Sequence, residues 1–418
     1  MKLITHLSSL LLCIFLLSCS NSSDNAYIDV SPGSVKVNAN TNSTTIHINS
    51  SSRWQATLNA TWCKLDKMEG TTNSDVVLTI EANESNTTRT AQITFTSDGE
   101  QQTVAVTQNS PEKYSLPVIF HVLYKYKNDP TQYINADRLG KVLEEVNQLV
   151  QKSVTSSGVQ FEFILATTDK NGKPLTTPGV EYIEFNDIPM DPDRFMNENT
   201  NKYTYLLWDP NQYINVMMYN FTDNQVLGIS HLPFTTQGNY SLEGLNETSQ
   251  TSLSLSNLKF PYCVSINSRY INTRSTSSKY EEGDIVVTLT HELGHYLGLH
   301  HVFSESNNNC DDSDYCKDTP SYNRLAYENY VRSLMPINNI LQSLPELAKR
   351  TNCNGSTFVS TNIMDYSFSY FTEFTHDQYQ RIHHVLNYSP LIPGNKLTKS
   401  STHTATEGPI DLPIKTIR

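Results

Sequence analysis

The sequence predicts two folded parts in tandem. A small all-β, immunoglobulin-like sandwich covers residues 26–109, a larger mixed α/β part covers about 110–395, and 396–418 reads as a C-terminal tail. Three observations predict this. Apolar residues alternate with period two throughout 26–109, with no helical pattern between the runs. From Leu116 onward, strand-like runs are interrupted by a stretch whose apolar residues recur at intervals of three and four. Finally, the segment His291–His301 has helical spacing that gathers metal-binding side chains on one face.

Composition agrees and excludes some functions. The chain has 418 residues, 30 Lys+Arg against 42 Asp+Glu, a formal net charge of −12 and 10% aromatic residues. Only 17% of residues are charged, which argues against wholesale disorder. An acidic chain without Lys/Arg blocks lacks the clustered cations that bind phosphate, so no nucleic-acid partner is expected. Abundant Asn, Ser and Thr favour turns and strands, because these side chains compete with the helix backbone for hydrogen bonds.

The first element is a leader. Lys2 precedes an apolar run, Leu7–Leu17, too short to span a bilayer but suited to a signal-peptide core. Leu16-Leu17-Ser18-Cys19 then resembles a bacterial lipobox. The resemblance implies removal of residues 1–18, lipidation of Cys19 and a polar tether over 19–25. It also implies export and anchoring to a bacterial membrane, the outer membrane being the expected one. No later segment reaches 18 apolar residues.

The β part follows. Val35 and Val37, Ile46 and Ile48, Trp54 and Ala56, then Val76, Leu78 and Ile80 alternate. Ala91, Ile93 and Phe95 lead through an Asp98-Gly99 turn to Val104 and Val106, a hairpin signal. About seven strands in this length suit an immunoglobulin-like sandwich. Ser51-Ser52-Arg53-Trp54, Trp62 and the ending Val104-Ala105-Val106-Thr107-Gln108 resemble the BACON domain. That resemblance implies either glycan or mucin binding or a spacer role. Trp54 and Trp62 are the candidate sugar platforms, although alternation places Trp54 in the core. Asn109-Ser110-Pro111 reads as a linker.

The metal-binding segment reads His291-Glu292-Leu293-Gly294-His295-Tyr296-Leu297-Gly298-Leu299-His300-His301. Asp284 offers a helix cap, and Leu289, Leu293 and Leu297 form an apolar stripe. His291 and His295 lie one turn apart with Glu292 beside them. Gly298 can end the helix in a left-handed conformation, letting a third histidine return to the site. The register selects His301 as that ligand and leaves His300 as a partly exposed bystander. Three neutral imidazoles suit a zinc ion with one open position. Glu292 is then placed as the general base. This long pattern, HExxHxxGxxH, is far more specific than HExxH alone.

Further along, Asn362-Ile363-Met364-Asp365-Tyr366 resembles the Met-turn of metzincins, with Met364 beneath the metal and Tyr366 within reach of an oxyanion. The surroundings over about 116–386 resemble the pappalysin family of metzincin proteases. The matching stretches are Leu116–Leu123, Leu227-Gly228-Ile229-Ser230-His231-Leu232-Pro233, Asp318-Thr319-Pro320, and Phe374-Thr375 with Gln378 and Arg381-Ile382, where Thr375 and Gln378 also form a capping-box pair. The resemblance implies a twisted mixed sheet with an active-site helix. It also implies an extended polypeptide substrate added to an edge strand, and zinc-dependent endopeptidase activity. Cys310 and Cys353 sit where family members form a disulfide, worth roughly 3–4 kcal/mol in the chain-entropy picture. Cys263 and Cys316 remain as a candidate second pair.

Several features depart from the family. Val302 stands where Thr is usual, and an insertion, about Tyr322–Arg350, has helical spacing at Leu341, Leu344 and Leu347. Aromatic residues dominate 367–373 and Glu373 is the one acid there, which weighs against strict cleavage beside basic residues. Asp311, Asp312, Asp314 and Asp318 form a cluster suited either to calcium or to a solvated acidic loop; their spacing does not choose. The competing functional reading is a lipid-anchored glycan-binding or adhesion protein with an inactive protease-like domain. The intact His291, Glu292, His295 and His301 weigh against it.

Overall fold

The computed structural model describes residues 26–39, 42–83, 87–110, 112–152, 159–250, 252–305, 310–394, 396 and 407–418. The leader, Cys19 and the tether lie outside the described residues. The chain divides into two compact units, one formed mainly by residues up to Gln108 and one mainly by Asn109–Arg418.

The first unit is a sandwich. Its strands are β1 (Ile28–Ser31), β2 (Ser34–Val37), β3 (Asn42–Ser50), β4 (Trp54–Leu58), β5 (Cys63–Leu65), β6 (Glu69–Gly70), β7 (Ser74–Ile80), β8 (Arg89–Ser97) and β9 (Glu100–Gln108). One sheet has the order β1-β3-β7-β5 and the other β2-β9-β8-β4-β6. Alternation decides which residues face inward: Val76, Leu78 and Ile80 from one sheet meet Ile93, Phe95, Val104 and Val106 from the other in one apolar core. Asp98 and Gly99 both have positive φ and close the β8–β9 hairpin. Trp54 is fully buried, edge-on to Phe95, and its indole donates to the Thr72 carbonyl at 3.0 Å. Trp62 lies under the Arg89 guanidinium at 4.4 Å.

The second unit is built on a mixed sheet ordered β11-β10-β13-β17-β14-β20, with β12 also paired to β10. Its strands are β10 (Glu112–Tyr124), β11 (Val159–Leu165), β12 (Val180–Glu184), β13 (Ile214–Tyr219), β14 (Gly228–His231), β17 (Val264–Asn267) and β20 (Thr416–Ile417). β10 pairs in parallel with β11, β12 and β13, and β13 with β17, whereas β14 is antiparallel to both β17 and β20. Short ladders join β15 (Phe234–Thr236) to β16 (Asn246–Thr248) and β18 (Lys349–Thr351) to β19 (Thr357–Val359). Every residue of β13 is buried, as expected for a strand covered on both faces.

Helices cover this sheet. α1 (Ala136–Gln151) starts at Asn135, whose side chain accepts from the Asp137 amide, and buries Leu139, Val142, Leu143, Val146 and Val150. A short α2 (Pro192–Met196) follows, then α3 (Ile285–Tyr296), the predicted metal helix. The insertion folds into α4 (Arg324–Ser333) and α5 (Ile340–Leu347), which bury Val331, Leu344 and Leu347 against Phe368. α6 (His376–Tyr388) begins with the anticipated capping box of Thr375 and Gln378. Cys310 and Cys353 form the disulfide, with Cα atoms 5.3 Å apart. The second bridge does not form: Cys263 and Cys316 are both free and buried. Residues 407–418, part of the stretch read from sequence as a tail after 395, pack against this unit and end in β20.

Candidate metal centre

The site grows out of the cap at Asp284. Its carboxylate accepts from the amides of Val286 and Val287, starting α3 in the register that turns His291 and His295 inward. Gly298, at φ +93°, ends the helix where a side chain would be strained. The chain then reverses and brings His301 back to the same point.

The three imidazoles converge. The Nε2 of His295 lies 3.0 Å from Nε2 of His291 and 3.2 Å from Nε2 of His301. Each ring uses its other nitrogen elsewhere. Nδ1 of His291 is 2.8 Å from the Ile363 carbonyl, Nδ1 of His295 is 2.8 Å from the Leu299 carbonyl, and Nδ1 of His301 is 2.5 Å from Glu305 Oε1. Those acceptors fix each Nδ1 as the proton carrier, so all three Nε2 lone pairs face one another. Burial favours neutral rings, with His291 lowered to about 4 and His295 and His301 held well below the usual histidine range. Three facing lone pairs repel unless a cation separates them. Zn–N bonds of about 2.05 Å at tetrahedral angles place such nitrogens roughly 3.3 Å apart, so the donor set fits zinc. Among the described residues, His291, His295 and His301 are the one His/Cys/Asp/Glu group gathered this way.

His300 is not part of the group. It is buried rather than partly exposed, sits edge-on to Tyr315, and burial lowers its pKa to about 3. Among the described residues the four aspartates do not gather as a group, although the Asp312 and Asp314 carboxyls meet in a hydrogen bond that helps raise Asp314. Asp314 accepts from Thr319 and the Cys316 amide, Asp318 accepts from the Asp377 amide, and Asp311 and Asp312 are exposed.

Glu292 is buried beside His291, and burial pushes its carboxyl well above the ordinary range. It lies against β14: a Cβ on Gly228 would come within 2.5 Å of Glu292 Cγ. Met364 is fully buried, and its thioether abuts Gly294, between the two helical histidines. The Tyr366 ring centroid is 4.6 Å from that of His301 and 5.8 Å from that of His291, and its hydroxyl donates to the Arg418 carbonyl. Glu373 lies away on the Thr361 hydroxyl.

Four contributors carried little signal in the sequence. Glu305, four residues after His301, orients that ring; its spacing was the available clue. Gly228 stood inside a quoted strand with no role attached. Arg350 and Asp365 form a fully buried ion pair at 3.4 Å. Arg350 also donates to the Leu347 and Ser367 carbonyls, at 2.6 and 2.9 Å, and stacks 3.6 Å from the Tyr327 ring. This ties the insertion to the Met364 turn.

One consequence is measurable. His301→Ala is expected to bind zinc at least tenfold more weakly, whereas His300→Ala retains it; metal content after dialysis distinguishes them. The opposite contents would overturn the assigned register.

A three-histidine centre on a helix that ends at a glycine, above a buried methionine turn and beside a mixed sheet, defines a metzincin-type metalloprotease fold. Residues 197–387 match the family model described as Pregnancy-associated plasma protein-A, and residues 52–109 match the BACON model, described as "Putative binding domain, N-terminal". Over those residues the second unit is similar to the pappalysin family of metzincins, and the BACON match lies ahead of it in the chain.

Curated relatives are fungal proteins named Extracellular metalloprotease. One from Arthroderma benhamiae is 48% identical over 48 residues, covering 12% of this chain and 16% of the relative. One from Arthroderma otae is 35% identical over 108 residues, covering 25% and 32%. The matched segments thus span well under half of either relative. Mature mirolysin of Tannerella forsythia, solved with a cleaved peptide, is 18% identical with a TM-score of 0.42, over 65% of this chain and 91% of that one.

Proposed function

We propose that the second unit is a zinc-dependent endopeptidase cutting extended polypeptides outside the cytoplasm. The observation that carries this is the convergence of three neutral Nε2 donors beside a buried, non-ligating Glu292. Bound by His291, His295 and His301, zinc would supply Lewis acidity toward the scissile carbonyl and toward an attacking water.

The chain's own residues do the rest. Among the described residues Glu292 Oε2 has no hydrogen-bond partner, and the charge of a bound zinc would counter the burial that raises this carboxyl, leaving it ionised to accept the water's proton and pass it to the leaving amine. Tyr366 donates a hydrogen bond to the oxygen on which negative charge develops. The edge of β14 that β20 holds in this structure is the one an extended peptide would join by strand addition once β20 is displaced. Gly228 gives Glu292 its space. Gly228→Ala is therefore expected to lower kcat roughly 10–100-fold with zinc content unchanged, because a displaced base loses alignment.

The leader and Cys19 support export and lipid anchoring, and the sandwich is best read as a spacer: Trp54 is buried and Trp62 is overlaid by Arg89. Calcium has no part in this reading, since Asp314 and Asp318 are engaged within the protein. Incubating the zinc-loaded protein with casein and a peptide library, with and without chelator, tests the proposal by mass-spectrometric mapping of cut sites. Chelator-sensitive internal cuts are expected. Failure to cut any substrate would overturn it.

A further inference from the structure

The edge of β14 that a peptide substrate would join is already paired with this chain. The approach is anchored step by step: the Ile410 amide donates to the Asn257 carbonyl at 3.1 Å, Asn246 donates to the Pro413 carbonyl at 3.3 Å, and Lys415 Nζ donates to the Gly244 carbonyl at 2.6 Å. The Leu232 amide then donates to the Lys415 carbonyl at 2.9 Å, and β20 pairs antiparallel with β14, Thr416 opposite His231 and Ile417 opposite Ser230. β14 begins at Gly228, against Glu292. Its antiparallel partner consequently runs toward the general base. Arg418 comes next. Its carbonyl oxygen accepts the Tyr366 hydroxyl, the group assigned above to the reacting carbonyl, and its guanidinium pairs with Asp193 at 2.5 Å. Direction, pairing edge and carbonyl contact are all those of a substrate.

We propose that residues 415–418 occupy the acyl half of the substrate track, with Arg418 in the seat of the residue whose carbonyl is attacked. Peptides enter by displacing this segment, and Asp193 reads a basic side chain in that seat. The inference rests on the peptidase reading of the cleft. A tethered competitor acts at high effective concentration. A ladder of three residues, one Lys415 side-chain bond and a half-exposed ion pair hold it weakly enough to be displaced.

The test compares the full chain with a chain ending at Leu412, and with full-length Ile417→Pro, which removes a ladder donor without shortening the protein. Both variants are expected to show a KM lower by roughly fivefold or more at unchanged kcat, because the open fraction of the cleft rises. The synthetic peptide Ile-Lys-Thr-Ile-Arg should inhibit the shortened enzyme competitively, and Asp193→Asn should weaken that inhibition. In zinc-loaded Glu292→Ala protein, the fluorescein-labelled peptide should bind the shortened chain and be excluded from the full one. Equal KM values with equal peptide binding to both chains overturn the inference. Selective binding to the shortened chain, with no cleavage by any form, keeps the occupancy and overturns the peptidase reading instead.

Discussion

Glu292→Ala lowers kcat by roughly 10²–10⁴-fold, the span of a lost general base, while zinc content stays at one ion per chain. The barrier rises by about 3–5 kcal/mol. The metal is kept because Glu292 orients none of the three ligand rings, whose Nδ1 atoms are held by the Ile363 and Leu299 carbonyls and Glu305. The rate is lost because Glu292 is the buried carboxylate next to His291, with one oxygen uncommitted. Steady-state kinetics on the best peptide from the library, paired with metal analysis of the same sample, checks both halves. Near-normal turnover in the variant would remove Glu292 from the mechanism.

Arg350→Ala is the substitution with the largest expected cost in stability. Arg350 and Asp365 are both fully buried, so truncation strands a carboxylate away from water. Removing one partner of such a pair costs about 3–5 kcal/mol. For a unit of this size that lowers Tm by roughly 5–8 °C. The Tyr322 hydroxyl donates to Asp365 at 2.5 Å and softens the loss without replacing the cation. Scanning calorimetry measures the shift. A change under 1 °C would show that truncating Arg350 does not leave the Asp365 carboxylate uncompensated, and would overturn this prediction.

Comparing sequence with structure separates local from long-range information. The cap at Asp284, the stop at Gly298, the choice of His301 over His300 and the Thr375/Gln378 capping box all depend on residues within a few turns of one another. Spacing alone carries that information. The alternating strands of the sandwich and the buried stripe of α1 are legible for the same reason. The pairing of β14 with β20 is different. It joins residues almost 190 positions apart, and Lys415-Thr416-Ile417-Arg418 has no periodicity to mark it as a strand. Arg350 looked like the end of an insertion, and its partner Asp365 like one more residue of a turn. Their burial together is set by how α4 and α5 fold back, which no short window records. Gly228 was invisible because what matters there is the room it leaves for a side chain 64 residues further on.

The Cys310–Cys353 bridge has a practical consequence at the bench. It closes a covalent ring that contains α4, α5 and β18. A cut anywhere inside that ring, by a contaminating protease or by a second copy of this chain, leaves both fragments attached. Nicked and intact protein would then migrate together on an ordinary denaturing gel. They part only after a thiol reductant is added, so purity and self-digestion need to be judged on reduced samples.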